Sequence, residues 1–185
     1  MKKLLLIPTL LAFILPASAQ YTIEIKDGYT PHMSTLIMML DDLKNRVTNQ
    51  VKHLDQAGTD FLMDEQANRM GALILHLAAT EMYYQQATFY NGNLNDASEE
   101  WQLAMDLGDE ARKKLKGKPI SYYLEKWDEV RAKTKEMLKT KDDDWLLKVR
   151  DDDYNYYWAW FHVAEHQANH MGQIAMIKKR MKTKG

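Results

Sequence analysis

The chain has no cysteine. That excludes disulfides, a lipid-modified residue at a leader cleavage site and thiolate ligands, so any transition metal must be held by His, Asp or Glu. It also lacks an excess of charge of either sign. With 25 Lys and Arg against 26 Asp and Glu the formal charge is -1, and losing Lys2 and Lys3 with a leader would take it to about -3. The signs are interspersed, which gives no electrostatic footprint for nucleic acid or for an anionic membrane. Strand-type alternation is missing except in Tyr21 to Ile25, and no repeat or low-complexity segment occurs. The acidic runs Asp142 to Asp144 and Asp151 to Asp153 lack the spaced oxygens and turn glycine of a calcium loop, and read as solvated loops and helix caps.

Long apolar runs are also missing, apart from one at the start. Lys2 and Lys3 precede Leu4 to Leu15, and Ala17-Ser18-Ala19 puts small residues where a signal peptidase reads. The run is about 12 residues against the roughly 20 that span a bilayer, so it reads as a signal peptide over residues 1–19. Export to the periplasm or the exterior is expected, with no membrane attachment after cleavage. The remaining residues 20–185, in a chain 45% hydrophobic and 28% charged, are enough for one globular domain with a real core.

That domain reads as all-α. A first helix opens at Thr30-Pro31, a capping hydroxyl before a proline at the first helical position, and carries Leu36, Leu40, Leu43, Val47, Val51 and Leu54 as one stripe. A second, capped by Asp64, runs to Asn91-Gly92 and is apolar nearly all round, so it should be the most buried. A third starts near Ser121 with Tyr123, Trp127, Val130, Thr134 and Met137 in register, and a fourth runs from near Asp153 to about Lys182. About ten residues join the first two, as antiparallel neighbours need, but about 28 separate the second from the third. The expected fold is a four-helix bundle with one long crossover that lets helices two and three run parallel. Trp101, Ala104, Leu107, Ala111 and Leu115 suggest a short helix or two in that crossover, broken near Gly108.

The chemistry sits in histidines. His162, His166 and His170 are four residues apart, and side chains so spaced share a helix face with Cβ atoms roughly 5 to 6 Å apart, close enough for two imidazoles to grip one ion. His76 lies inside the apolar run Leu73 to Ala79, where an unpaired imidazole is costly, so it needs a hydrogen-bond partner or a metal. A buried histidine on one helix and a four-spaced pair on another can converge in a bundle core, and three neutral imidazoles plus water suit a divalent transition metal.

Leu75-His76-Leu77-Ala78-Ala79-Thr80-Glu81 in the second helix and His166-Gln167-Ala168-Asn169-His170-Met171-Gly172-Gln173 in the last resemble the DinB-like metal-binding four-helix bundles, a family named after a damage-inducible bacterial protein. The resemblance covers nearly the whole chain after the leader, including the long connection. It implies a three-ligand site at His76, His166 and His170. His162 accumulates about 80° of helical rotation from His170, so all three helix-four histidines do not easily point at one ion. It reads as a residue that supports a ligand or lines the pocket, in preference to a direct ligand. Glu81, five residues past His76, reads either as a group that orients a ligand or acts as a base, or as a structural carboxylate paired elsewhere. Asn169, Gln173, Tyr83 and Tyr84 are near enough to line a pocket.

Two rival motifs fail. His162-Val163-Ala164-Glu165-His166 matches the His-x-x-Glu-His pattern of inverted zinc proteases, but no Glu follows His166 to complete that ligand set. A carboxylate-bridged di-iron site needs two Glu-x-x-His motifs, and the chain has none.

Members of the resembled family include metal-dependent transferases and isomerases that use low-molecular-weight thiols. The resemblance therefore implies an enzyme acting on a small-molecule substrate by thiol transfer, with a hydrolase using the same ligands, or a bundle whose ion is structural, as alternatives. Neutral imidazoles accept zinc, nickel, iron or manganese alike. Tyr154, Tyr156, Tyr157, Trp158 and Trp160 would supply either a homodimer interface or more core.

Overall fold

The computed structural model describes residues 22–151 and 153–181. The expected signal peptide lies outside them. Four long helices dominate: α1 (Pro31–Val51), α3 (Met70–Phe89), α6 (Ile120–Leu138) and α8 (Tyr156–Met181). Between them lie α2 (Gln56–Thr59), α4 (Glu99–Asp106), α5 (Gly108–Lys114), α7 (Asp143–Leu146) and a two-stranded ladder of β1 (Val149–Arg150) and β2 (Tyr154–Asn155). No helix among the described residues is long and apolar enough to cross a membrane.

The long helices close a four-membered ring: α3 packs on α6 and α8, and α1 packs on α8 and α6. Contacts between α3 and α6 rise together along both helices, from Gly71 against Tyr123 through Glu81 with Arg131 to Tyr90 with Met137, so these two run parallel as the long crossover requires. Between α3 and α8 the order reverses, with His76 beside His170 and Tyr84 beside His162, so they run antiparallel. Helices α1 and α3 face each other diagonally rather than as neighbours, because α6 and α8 take the positions between them. Gly71 permits the closest approach: a Cβ there would lie 2.4 Å from the Tyr123 ring.

As its all-round apolarity requires, α3 is buried at every residue from Met70 to Glu81. The apolar side chains form two clusters. One joins Met70 to Ala79 with Val47, Trp127 and Ile174, and the other joins Met33 to Leu40 with Leu138 and Ala159 to Ala164. A buried polar layer of Glu81, Arg131, Thr134 and Gln167 lies between them in sequence on each of α3, α6 and α8.

Several expected boundaries move. Helix α3 starts at Met70 with Arg69 as its cap, because the Asp64 carboxylate instead accepts from the backbone N–H groups of Gln66 and Ala67 and closes a separate turn. The Thr30 hydroxyl does not cap α1 but donates to Asp143. Helix α8 starts at Tyr156, since the chain before it turns through Asp151 at φ 52° and pairs β1 with β2. Residues 22–26 form no strand. The crossover breaks where expected, with both Leu107 and Gly108 in the left-handed region, and Asp142 caps α7 by accepting from the Trp145 N–H. Of the C-terminal aromatics, Trp160 is core and Tyr154 and Tyr156 pack against it, whereas Tyr157 and Trp158 are exposed.

Candidate metal centre

His76 is held on α3 by the apolar run around it, and its ring leans on the crossover: Nδ1 lies 2.8 Å from the Ala104 carbonyl of α4. A carbonyl only accepts, so Nδ1 carries the proton and Nε2 is left as a free lone pair. That Nε2 is 2.9 Å from Nε2 of His166. The His170 ring centroid is 4.9 Å from that of His76 and 4.5 Å from that of His166. His170 Nδ1 is 3.0 Å from Gln173 Oε1, so the side chain one turn along holds its proton and again frees Nε2. One ring nitrogen from each of the three lies within 4.8 Å of the others.

Burial, reinforced by His170, His76 and His162, pushes His166 down to about 3. Burial and then His76 push His170 down to about 4, and burial lowers His76 as well. All three are therefore neutral at ordinary pH, the form that ligates a metal. Two tautomers fixed by Ala104 and Gln173, ring nitrogens of all three turned together and no competing charge make a donor set that fits a divalent transition ion.

The other candidates separate clearly. His162 stands outside the trio: its ring stacks on Trp158 with centroids 5.1 Å apart, its Nδ1 pairs with Glu165, and it meets His166 only ring to ring at 5.8 Å. With Tyr84 edge-on beside it, it belongs to an aromatic wall flanking the trio. Glu81 is fully buried and committed elsewhere. Its carboxylate accepts from Trp127, Arg131, Thr134 and Gln167, and touches none of the three histidines. Burial alone would raise the Glu81 carboxyl, but the Arg131 guanidinium with the Thr134 and Trp127 donors holds it below its usual value. Of its two readings, the geometry favours the structural carboxylate. Glu165 pairs with His162 and Asn169, which keeps Asn169 away from the trio.

Sequence reasoning missed Thr80, whose hydroxyl lies 3.4 Å from His166 Nε2, and the Ala104 carbonyl. Thr80 carried a signal, being one helical turn from His76 on the same face. The Ala104 carbonyl carried none, because a backbone group has no sequence signature.

An α-helical ring with a long crossover and a three-histidine cluster between its second and last long helices is a DinB-like bundle. Residues 35–183 match the model of the mycothiol-S-transferase family, and the chain belongs to that DinB-like family. A search of curated proteins gave no match.

Proposed function

We propose that the chain is an exported, metal-dependent transferase in which His76, His166 and His170 hold one divalent ion beside a low-molecular-weight thiol. The observation that carries this reading is the convergence of three neutral imidazoles, with one ring nitrogen of each turned to the others, in a chain that matches the mycothiol-S-transferase family. When bound, the ion would supply a Lewis acid that lowers the pKa of a thiol or a water and presents it to an electrophile.

The chain's own part is positioning. Ala104 and Gln173 hold the tautomers, and burial keeps protons off the imidazoles. The Thr80 hydroxyl lies within reach of His166 to orient a ligand. Tyr84, whose phenol burial and then Tyr154 push up to about 12, stays protonated and serves as wall, not base. A hydrolytic reading with the same three histidines is favoured by the leader at Lys2 to Ala19, since export separates the protein from cytoplasmic thiols.

The first experiment is the metal content of tag-free mature protein, which should begin at Gln20, beside alanine variants at His76, His166 and His170. Near one ion per chain, lost in each variant, supports the site. Metal-free protein that also fails to take up added zinc, nickel, iron or manganese overturns it. With metal present, turnover of an electrophile that requires an added thiol separates the transferase from the hydrolase.

A further inference from the structure

Gln167 is 1% exposed and sits between two of the proposed ligands, directly after His166 and three residues before His170. It does not face them. Its amide reaches across the bundle, where Nε2 donates to Glu81 Oε2 at 3.1 Å and Oε1 accepts from Arg131 Nη2 at 3.2 Å. The orientation is unambiguous, because a flipped amide would set its NH2 against a guanidinium and its oxygen against a carboxylate. Glu81 and Arg131 are themselves held by Trp127 and Thr134 of α6 and by Asp41 of α1. One side chain of α8 is thus clasped to a frame that includes all three other long helices.

The clasp matters because the apolar packing of α8 is non-directional, and the other hydrogen bonds from α8 to the long helices include those within the histidine cluster itself and Tyr157 with His32 near the start of the helix. Val163, Ala164, Ile174 and Ile177 contribute area, and area alone does not fix the rotation of a helix about its axis. Around that axis His166 and His170 lie about 100° and 60° from Gln167, both on the same side, so any turn of the helix moves both the same way. A rotation of about 20° sweeps a side-chain tip roughly 2 Å, given a helix about 10–12 Å across. Metal-to-nitrogen distances tolerate only about 0.2 Å.

We infer that Gln167 is a positioning residue: its two-sided clasp on Glu81 and Arg131 sets the phase of α8, so that His166 and His170 meet His76. This rests on the proposed metal site, but it assigns a task that the site itself does not imply. The two roles left open by the sequence for Glu81 thereby join, since a structural carboxylate orients the ligands at one remove.

The test compares Gln167→Met, which keeps the volume and deletes both hydrogen bonds, with Leu138→Ala, a core truncation in the second apolar cluster. Titrated with cobalt, Gln167→Met should bind about 10- to 100-fold more weakly than wild type, the usual cost of losing a group that orients a metal ligand, and its cobalt absorption bands should change shape. Leu138→Ala should lower the melting temperature and leave affinity and spectrum at wild-type values. Wild-type binding by Gln167→Met overturns the proposal, and so does a loss of affinity in both variants that tracks their melting temperatures. Should Gln167→Met fail to fold, Gln167→Asn, one methylene too short to span both partners, takes its place. A wild-type chain that binds no cobalt would overturn the metal reading instead. The clasp is then decided by the side-chain nitrogen resonances of His166 and His170 in the metal-free protein, which should shift in the Gln167 variant and not in Leu138→Ala. Unchanged resonances overturn it.

Discussion

Two polar clusters occupy the same bundle, and they are built on opposite terms. Around Glu81 a buried carboxylate meets a buried guanidinium, and Trp127, Thr134 and Gln167 supply further donors to it. Around His166 three imidazoles converge, two of them with their protons turned outward onto Ala104 and Gln173, and no carboxylate among the described residues faces the nitrogens that meet. A buried polar group costs free energy unless it is paired. The first cluster is paired within the chain and is therefore architecture. The second has only its own members and Thr80 at the nitrogens that meet, which is why the proposed function rests on it.

The largest break in that comparison removes a proposed ligand. Alanine at His76, His166 or His170 should abolish metal uptake, read by metal analysis of the purified protein, while circular dichroism stays helical. Glu81→Ala should act first on stability, and weaken metal binding only as far as the Gln167 clasp is lost with it. It leaves Arg131, 3% exposed, without its main counter-charge, so stability in denaturant should fall by roughly 3–5 kcal/mol.

Acid should separate the clusters without mutation. In the metal-free protein His166 and His170 accept protons only near 3 and 4, against 6.5 when unperturbed. Below about 6.5 the unfolded chain binds more protons than the folded one, so stability declines as the pH is lowered and goes on declining toward 3. Glu81 is held below its ordinary 4.5, so its contribution is whole above that value and fades only beneath it. Melting temperatures measured from pH 7 to pH 3 should fall less steeply below 6.5 in His166→Ala, with His170 and His76 still contributing, whereas Glu81→Gln should alter the slope only below 4.5. The smallest effect belongs to His162→Phe, which keeps a ring against Trp158 and Tyr84 and should retain its full metal content. Loss of metal in that variant would move His162 from the wall into the ligand set.

Much of the fold was legible because it is local. The apolar run of α3, the stripe of α1 and the break at Gly108 follow from periodicity and from backbone preference. Misplaced boundaries arose where a side chain found a partner periodicity does not show, such as Asp64 closing its own turn or Thr30 donating to Asp143. At the site, the four-residue spacing put His166 and His170 on one face. Only the fold shows which way that face turns.

The sequence by itself determined the helices, their order, the crossover length that makes α3 and α6 parallel, and the residue types able to hold a metal. Tertiary structure decided that His76 comes within 2.9 Å of a residue 90 positions away, and that Glu81 meets an arginine 50 positions away instead of a histidine. The reason is range. Helical periodicity is set by neighbours within a turn or two, whereas the meeting of α3, α6 and α8 depends on how four amphipathic faces pack together, with a buried amide such as Gln167 to fix their phase.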